Sequence, residues 1–184
     1  LARITKVEVV EYFTEDLATR DLALLFIDTS TLPEQLKAAT ISLPTFSEEK
    51  TAFHSALTVL GHGAIDFAAT TAATTLQKAS LFHVDQEQCR KSGKASKDAQ
   101  KLYSSLGDDS FCYVGEKNSH IDSCMGDSGG PLLLDQGGNK MLLGLVSKGP
   151  TPCGQEDQPG IYTRLASYKQ WIDEKVNRYK EYGY

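Results

Sequence analysis

The sequence predicts an all-β protein, either a barrel or a sandwich, that ends in an α-helix. Nine short segments rich in apolar and β-branched residues follow one another, and polar turn material separates them. Helical periodicity is confined to two segments, one of them at the carboxyl end. Many short strands with turns between them are typical of barrels and sandwiches, so we expect a single β-rich unit without repeats or an internal linker.

The strands are expected in chain order. The first two are "ITKVEVVEYF" (4–13) and "DLALLFID" (21–28), which are dense in Val, Ile and Leu. Between two later candidates lies "DQGGN" (135–139), which predicts a hairpin turn. The remaining seven candidates are "TISLP" (40–44), "ALTVLG" (56–61), "LQKASLFHV" (76–84), "DSFCYVG" (109–115), "GPLLLD" (130–135), "KMLLGLVSKG" (140–149) and "GIYTRLA" (160–166).

Two helices are predicted. The segment "KASKDAQKLYSSL" (94–106) is polar, but it gathers Leu102, Tyr103 and Leu106 on one side. The last segment, "SYKQWIDEKVNRYKEY" (167–182), places apolar residues on one face that can dock on the β structure. The small low-complexity run "AATTAATT" (68–75) is expected to be a surface loop.

Composition excludes several function classes. The chain has 184 residues, of which 40% are hydrophobic and 23% charged, as expected for a protein with a substantial core. A formal net charge of -5 argues against a nucleic-acid surface. No apolar run reaches the roughly 18 residues that a membrane span needs. We therefore expect neither nucleic acid nor membrane as a partner.

The four cysteines favour disulfides over a metal site. Cys89, Cys112, Cys124 and Cys153 are separated by 23, 12 and 29 positions, which gives no CxxC pair. The histidines do not complete a zinc pattern either, so we expect neither a metal nor another cofactor. Two disulfides indicate an oxidising compartment, and the protein is expected to be secreted.

One stretch, "DSCMGDSGGP" (122–131), has the residue types of a nucleophilic site. A serine attacks only if a base removes its proton and donors receive the resulting oxyanion. Glycines beside Ser128 allow a sharp turn that aims the amides of Gly126 and Ser128 at one point. Asp127 is expected to be buried and to need a cation or hydrogen-bond donors. For any one of these residues a plain tight turn is the better explanation, but for the whole string it is not.

The string "CMGDSGGP" resembles the nucleophile loop of the trypsin-like (chymotrypsin-fold) serine proteases. Further fragments follow the family's order along nearly the whole chain, and "RDLALL" (20–25) resembles the segment that carries the triad aspartate. The other matching fragments are "ISLP" (41–44), "LGHG" (60–63), "LQKA" (76–79), "FCYVG" (111–115), "GLVSKG" (144–149), "PGIYTRL" (159–165) and the terminal helix with Trp171.

The resemblance implies a chymotrypsin-like double β-barrel. Residues 1–45 would form the last part of the first barrel, 46–165 the connection and the complete second barrel, and 166–184 the C-terminal helix. The implied disulfides are Cys124–Cys153 and Cys89–Cys112. At two positions where the family often has a further bridge, Leu57 and Leu134 stand instead, so apolar packing is expected to replace it.

The resemblance also assigns roles to individual residues. It implies that Ser128 is the nucleophile, that Asp21 orients an imidazole and that the amides of Gly126 and Ser128 hold the oxyanion. Asp127 would form an ion pair with an activating α-ammonium group. Asp122 would form the floor of the substrate pocket, and a carboxylate there predicts cleavage after Arg or Lys. The other implied substrate-binding residues are Ser123, Ser147, Gly149 and Gly160.

The base of the family's triad is missing. In the family a histidine precedes the aspartate, whereas His54, His62, His83 and His120 all follow Asp21. "TAFHS" (51–55) superficially matches the family's histidine box, but the segment after it matches a later part of the family. We therefore expect a two-chain enzyme whose N-terminal fragment, bound non-covalently, supplies the histidine and the activating terminus.

The resemblance implies further partners, and two alternatives to an active enzyme remain open. Protein or peptide substrates and protein protease inhibitors are the expected further partners. The first alternative is a non-catalytic serine protease homologue that acts as a binding or adaptor module. The second is an inactive degradation product. Retention of Asp21, Asp122 and Ser128 favours the enzyme.

Overall fold

The computed structural model describes residues 2–13, 19–37, 40–66, 68–94 and 96–182. Two β assemblies account for the strands of this part of the chain: a two-stranded antiparallel sheet and a closed six-stranded barrel. A C-terminal helix packs across the first assembly and the end of the barrel. The predicted all-β class with a terminal α-helix is therefore confirmed. No helix in the described ranges is long and apolar enough to cross a bilayer.

The two-stranded sheet has one covered and one exposed face. Strands β1 (Arg3–Val9) and β2 (Ala23–Asp28) pair antiparallel, with Val7 opposite Leu25. Five aliphatic side chains project from the uncovered face, each between 42% and 56% exposed: Ile4, Val7, Val9, Leu25 and Ile27. Exposed apolar area of this extent is characteristic of a surface that another element covers. The assignment of residues 1–45 to the end of a first barrel stays a prediction.

The barrel closes through the order β3-β4-β5-β8-β7-β6, in which every neighbouring pair is antiparallel. Its strands are β3 (Leu57–Gly61), β4 (Gln77–Val84), β5 (Ser110–Val114), β6 (Pro131–Gln136), β7 (Asn139–Lys148) and β8 (Gly160–Arg164). All six lie within or overlap predicted strand segments. Inward-facing side chains fill the interior, and both Leu57 and Leu134 belong to this buried cluster. Apolar packing at these two positions, expected in place of a disulfide, is thus observed.

The β6–β7 connection is the predicted hairpin. Gln136 pairs with Asn139, which leaves Gly137 and Gly138 as a two-residue turn. Both glycines have positive φ, at 63° and 97°. Two residues of positive φ match the right-handed twist of the flanking strands, and glycine adopts that conformation without steric cost.

Within the described ranges, five α-helices accompany the strands: α1 (Glu34–Lys37), α2 (Phe46–Ala52), α3 (Gln86–Arg90), α4 (Lys97–Ser104) and α5 (Lys169–Tyr182). Of these, α4 and α5 lie within the predicted helical segments. The ring of Tyr179 on α5 stacks on Phe26 of β2, with 4.1 Å between centroids. This contact fixes the two-stranded sheet to the terminal helix.

One expectation about local structure was wrong. The segment "TISLP" is not a strand, because only Ser42 forms an isolated bridge, parallel, to Met141 of β7. The connection that follows contains α2, a helix that the sequence analysis did not predict, and this helix starts with a capping box between Thr45 and Glu48. Each side chain of that pair accepts the backbone N–H of the other residue, which satisfies two donors at the start of the helix.

Both disulfides implied by the resemblance are present, Cys89–Cys112 and Cys124–Cys153. The first closes a loop that runs from Cys89, within α3, through α4 to Cys112 on β5. The second joins the serine loop to the segment before β8. The described chain has no free cysteine. Each disulfide therefore fixes one loop covalently.

Candidate functional site

The loop before β6 presents Ser128 on the surface of the barrel. Its turn is held by backbone hydrogen bonds, in which Gly130 N–H donates to the Asp127 carbonyl (2.8 Å) and Gly129 N–H donates to the Val146 carbonyl (2.8 Å). Gly126 and Gly129 have φ of 97° and 77°, a region that favours glycine. Ser128 and Gly126 are exposed. The serine hydroxyl is accessible while its backbone is tied to β7, as a nucleophile requires.

The Asp127 carboxylate turns inward, and two backbone amides bind it. Gly63 N–H donates to Oδ1 (2.7 Å) and Cys124 N–H donates to Oδ2 (2.9 Å). Asp127 is half-buried rather than fully buried. The amides meet the need for donors that the sequence predicted. The described part of the chain shows no cationic side chain bound to this carboxylate, and a role in an activating ion pair stays a prediction.

Two glycines make room for Asp127. A Cβ at Gly61 would lie 1.8 Å from Asp127 Oδ1, and a Cβ at Gly63 would lie 2.4 Å from its Cγ. Any side chain at either position would overlap the carboxylate.

The sequence analysis placed Gly61 and Gly63 in a fragment that matches the family, but it gave neither glycine a role. The signal that could have identified them is the "GHG" spacing at the end of β3.

Asp21 lies at the start of the segment that leads into β2 and contacts two barrel strands. Ser147 Oγ on β7 donates to Asp21 Oδ2 (2.7 Å), and Thr163 Oγ1 on β8 donates to the Asp21 carbonyl (2.8 Å). The structure thus joins Ser147, which the resemblance assigned to substrate binding, to the predicted triad aspartate. Asp21 is half-buried, so these bonds hold its carboxylate in a defined place.

The contacts that the structure gives for His62, His83 and His120 do not include Asp21 or Ser128. His54 lies in the turn after α2, and His62 Nδ1 is 3.3 Å from the Ala73 carbonyl. The ring of His83 stacks on Phe53 at 3.9 Å, and burial lowers the pKa of His83. His120 Nδ1 is 3.2 Å from the Gly154 carbonyl. In the described ranges no histidine is bonded to Asp21 or Ser128.

The Asp122 carboxylate lies in a shielded position. Ser123 N–H donates to Oδ1 (2.8 Å), whereas Oδ2 is buried and has no hydrogen-bond partner of ordinary geometry among the described residues. Burial raises the pKa of Asp122 to about 7, although the nearby Ser123 and Gly160 amides and the Tyr162 hydroxyl favour the charged form. A buried carboxylate oxygen without a donor is costly and suits a ligand that brings its own N–H groups.

The walls around Asp122 are made of small residues. A Cβ at Gly160 would lie 2.8 Å from Asp122 Oδ1, and a Cβ at Gly149 would lie 3.9 Å from the Cα of Gly160. The Ser123 and Tyr162 hydroxyls share a hydrogen bond of 2.9 Å at the buried end. The predicted pocket residues Asp122, Ser123, Gly149 and Gly160 are therefore close together. Tyr162 is an addition that the sequence did not single out.

A cavity of about 620 Å³ reaches both acidic residues, with Asp122, Asp127, Gly61, Gly63 and the Cys124–Cys153 bridge among its lining groups. The Cys124–Cys153 disulfide therefore joins two of the segments that line this cavity. Asp66 and Glu116 line the same cavity, against one lysine among the described residues, Lys78, so acidic groups outnumber basic ones there and favour cationic groups.

Comparison with known proteins gives matches over nearly the whole chain. The family model described as Trypsin matches residues 2–172. Human kallikrein-4 is 36% identical over 164 residues, which is 89% of this chain and 57% of that protein. Melanization protease 1 of Drosophila melanogaster is 52% identical over 60 residues, which is 30% of this chain and 15% of that protein.

The fold of this chain also matches the solved structure of a serine protease. The secreted serine protease VesC from Vibrio cholerae superimposes with a TM-score of 0.72 and 25% sequence identity, covering 95% of this chain and 33% of that one. The chain spans a little over half the length of kallikrein-4 and a third of the VesC chain.

Proposed function

Because this chain belongs to the trypsin family of serine proteases, we propose that it carries the nucleophile and the substrate pocket of an endopeptidase that cleaves after Arg or Lys. Ser128 would attack the scissile carbonyl, and its proton would pass to an imidazole held by Asp21. The Gly126 and Ser128 amides would receive the oxyanion. In a triad of this kind the base and the oxyanion donors together make a serine reactive.

The observation that carries the substrate assignment is the orphaned Asp122 oxygen. Oδ2 is buried without a partner among the described residues, and the glycines at 149 and 160 leave space beside it. A guanidinium or ammonium group would donate to that oxygen and return the carboxylate to its charged form. Charge-assisted hydrogen bonds of this kind are about twice as strong as neutral ones. An aromatic side chain would leave the same oxygen unsatisfied.

We propose further that the imidazole comes from an N-terminal fragment of the same precursor, held non-covalently. The bonds of Asp21 to Ser147 and Thr163 leave it fixed without a histidine of this chain. The exposed aliphatic face of β1 and β2 offers that fragment an apolar surface, with Val7 52% and Leu25 56% exposed. Association would bury this area and bring the histidine to Asp21. The two disulfides are compatible with a secreted enzyme.

Intact mass spectrometry, activity assays and labelling test the proposal. Intact mass spectrometry of an active sample, under denaturing and non-reducing conditions, should reveal a second polypeptide that contains a histidine. The same sample should hydrolyse arginyl and lysyl substrates, lose activity with benzamidine and be labelled at Ser128 by an organophosphate. An active sample that contains this chain alone would overturn the two-chain arrangement. A preference for aromatic substrates would overturn the assignment of the pocket.

The non-catalytic alternative rests on the positions of the four histidines, none of which is bonded to Asp21 or Ser128 within the described residues. A binding module would need no base, and Ser128 would then be inert. Organophosphate labelling separates the two functions, since labelling requires a complete site. Absence of labelling in the assembled two-chain sample would favour the binding module.

A further inference from the structure

Asp21 follows a residue whose backbone has an unusual conformation. Arg20 has φ of 57°, in the left-handed region that residues other than glycine adopt only rarely. Leu22 N–H donates to the Arg20 carbonyl (2.9 Å), which closes a three-residue turn centred on Asp21. A backbone in this region persists only where surrounding contacts hold it. The position of Asp21 therefore depends on what holds Arg20.

Asp109, directly before β5, supplies such a contact. Its Oδ2 accepts a hydrogen bond from the Arg20 N–H (3.1 Å). A carboxylate is a stronger acceptor for a backbone amide than a neutral oxygen. The N–H of Arg164 on β8 donates to the Asp109 carbonyl (2.9 Å), so the backbone of Asp109 is itself bonded to the barrel. Asp109 thus connects the turn at Asp21 to the barrel.

The Tyr168 hydroxyl orients the Asp109 side chain. Tyr168 ends the 3₁₀ turn between β8 and α5, is 8% exposed, and donates to the same Oδ2 atom (2.7 Å). One oxygen of Asp109 therefore accepts from both Tyr168 and Arg20. Burial raises the pKa of Tyr168, the bond to Asp109 raises it further, and the charge of Asp21 adds to this effect while that of Arg20 opposes it. The influence of Asp21 agrees with its place beside this cluster.

Three side chains hold three different parts of the turn. Thr163 Oγ1 donates to the Asp21 carbonyl, and Ser147 Oγ donates to the Asp21 carboxylate. Asp109 acts one residue earlier, at the Arg20 N–H. Without Asp109, the strained backbone at Arg20 would relax and displace Asp21, although its other two bonds stay available.

We propose that Asp109 is a positioning residue for Asp21 and that it acts through the backbone of Arg20. The inference rests on the proposed function, in which Asp21 orients the imidazole of a catalytic triad. A displaced carboxylate would hold that imidazole in a less productive orientation, and reaction rates fall steeply with small errors in the placement of catalytic groups.

The chain offers matched variants at two neighbouring positions. Asp109→Ala removes the acceptor, whereas Asp109→Asn keeps a neutral oxygen that can accept from both Arg20 and Tyr168. Asp108→Ala is the control, because the Asp108 side chain is 91% exposed and pairs with Arg90, which is also exposed. A positioning role predicts a loss in Asp109→Ala, recovery in Asp109→Asn and no change in Asp108→Ala.

The first readout is turnover of an arginyl amide by the active two-chain enzyme, expressed per active site titrated with an organophosphate. Asp109→Ala should lower kcat roughly three- to tenfold and change KM less, because the loss concerns the orientation of the base. Asp109→Asn should stay near the wild-type kcat, and Asp108→Ala should match it. Wild-type kcat in Asp109→Ala, or an equal loss in Asp109→Asn, would overturn the proposal.

The second readout does not depend on the proposed function. In NMR spectra of the same protein without substrate, the amide resonances of Arg20 and Asp21 should move in Asp109→Ala and stay in place in Asp108→Ala. If the wild-type two-chain sample is inactive, the proposed function fails, and these resonances alone decide whether Asp109 holds the turn. An unchanged Asp21 resonance in Asp109→Ala would contradict the inference.

Tyr168→Phe replaces Asp109→Ala if the latter yields no folded protein. This variant removes the hydroxyl that orients Asp109 and keeps both the ring and the carboxylate. Its kcat should fall roughly two- to fivefold, and the Asp21 amide resonance should move in the same spectra. Wild-type values of both quantities in Tyr168→Phe would overturn the proposal.

Discussion

Ser147 Oγ donates a 2.7 Å hydrogen bond to Asp21 Oδ2, across 126 positions of sequence. This bond joins β7 of the barrel to the segment that leads into β2 of the separate two-stranded sheet. The bond fixes one carboxylate oxygen of Asp21. The orientation of the carboxylate therefore does not depend on the imidazole that the proposed mechanism requires. A preorganised carboxylate of this kind loses little entropy when its partner arrives.

Ser147→Ala should lower kcat about three- to tenfold in the active enzyme, because the Asp21 carboxylate loses a donor that defines its orientation. KM for an arginyl substrate should change less than kcat. Steady-state kinetics check this outcome. The control is Ser42→Ala, which removes an exposed hydroxyl bonded to the Lys140 carbonyl and should leave both constants unchanged. A rise in KM alone would instead assign Ser147 to substrate binding.

Asp122 should make the stability of the chain depend on pH. Its pKa in the folded state, about 7, lies above its ordinary value of 3.8, so the folded chain binds more protons than the unfolded chain between these values. Stability should therefore fall as pH rises from about 4 to 7 and stay low above it. Asp122→Asn removes this penalty and should stabilise the chain at pH 8 by on the order of 2 to 4 kcal/mol.

Urea unfolding of wild type and Asp122→Asn at pH 5 and pH 8 measures the difference. Asp98→Asn, at an exposed residue of α4, is the control and should leave the pH dependence unchanged. The same Asp122→Asn variant should lose affinity for benzamidine, since it lacks the charge. Parallel pH profiles of wild type and Asp122→Asn would contradict the prediction.

The buried ion pair between Glu49 and Arg164 should stabilise the contact between α2 and the barrel. Glu49 is 0% exposed, and its Oε2 accepts from Arg164 Nε (2.7 Å) and Nη2 (2.5 Å). Glu49→Ala leaves the guanidinium without its partner and should lower the free energy of unfolding by about 3 to 5 kcal/mol. Asp173→Ala, in the exposed pair with Lys169, should cost less than about 1 kcal/mol. Equal losses measured by urea unfolding would contradict this difference.

Alanine at two glycines should separate folding from substrate recognition. Gly63→Ala would place a Cβ 2.4 Å from Asp127 Cγ, so it should cost about 1 to 3 kcal/mol and reduce organophosphate labelling of Ser128. Gly149→Ala meets only an ordinary contact at 3.9 Å. It should keep wild-type stability but lower kcat/KM for arginyl substrates by narrowing the pocket. Thermal unfolding and steady-state kinetics provide the two readouts, and normal labelling in Gly63→Ala would contradict the first expectation.

The barrel strands could be predicted from sequence because the local pattern of apolar segments and turn residues agrees with the final fold. The apolar residues of "GPLLLD" and "KMLLGLVSKG" pair across a glycine turn, and β6 and β7 form there. "TISLP" carries the same kind of signal, yet Ser42 forms one bridge only. Proline at position 44 and the capping box at Thr45 begin a helix directly afterwards, which leaves no length for a strand. Thr45 and Glu48 have the spacing that could have predicted α2.

The candidate site residues could be named from the sequence, and their catalytic and binding roles stay predictions, but the contacts between them could not be predicted. The resemblance of "CMGDSGGP" implied a sharp turn at Ser128, and the structure has a turn there, with positive φ at Gly126 and Gly129. The bonds from Ser147 to Asp21 and from Arg20 to Asp109 cross 126 and 89 positions, and they depend on how the strands close into a barrel. No local pattern contains that information. The same holds for Asp122 Oδ2, whose lack of a partner follows from packing.

The closed ladder of the barrel has a consequence for local dynamics. Every barrel strand has a neighbour on both sides, whereas β1 and β2 pair only with each other in the described ranges. Backbone amides of the barrel should therefore exchange with deuterium slowly, and those on the outer edges of β1 and β2 quickly. Protection acquired by these edges upon mixing with a candidate fragment would map, amide by amide, where that fragment docks.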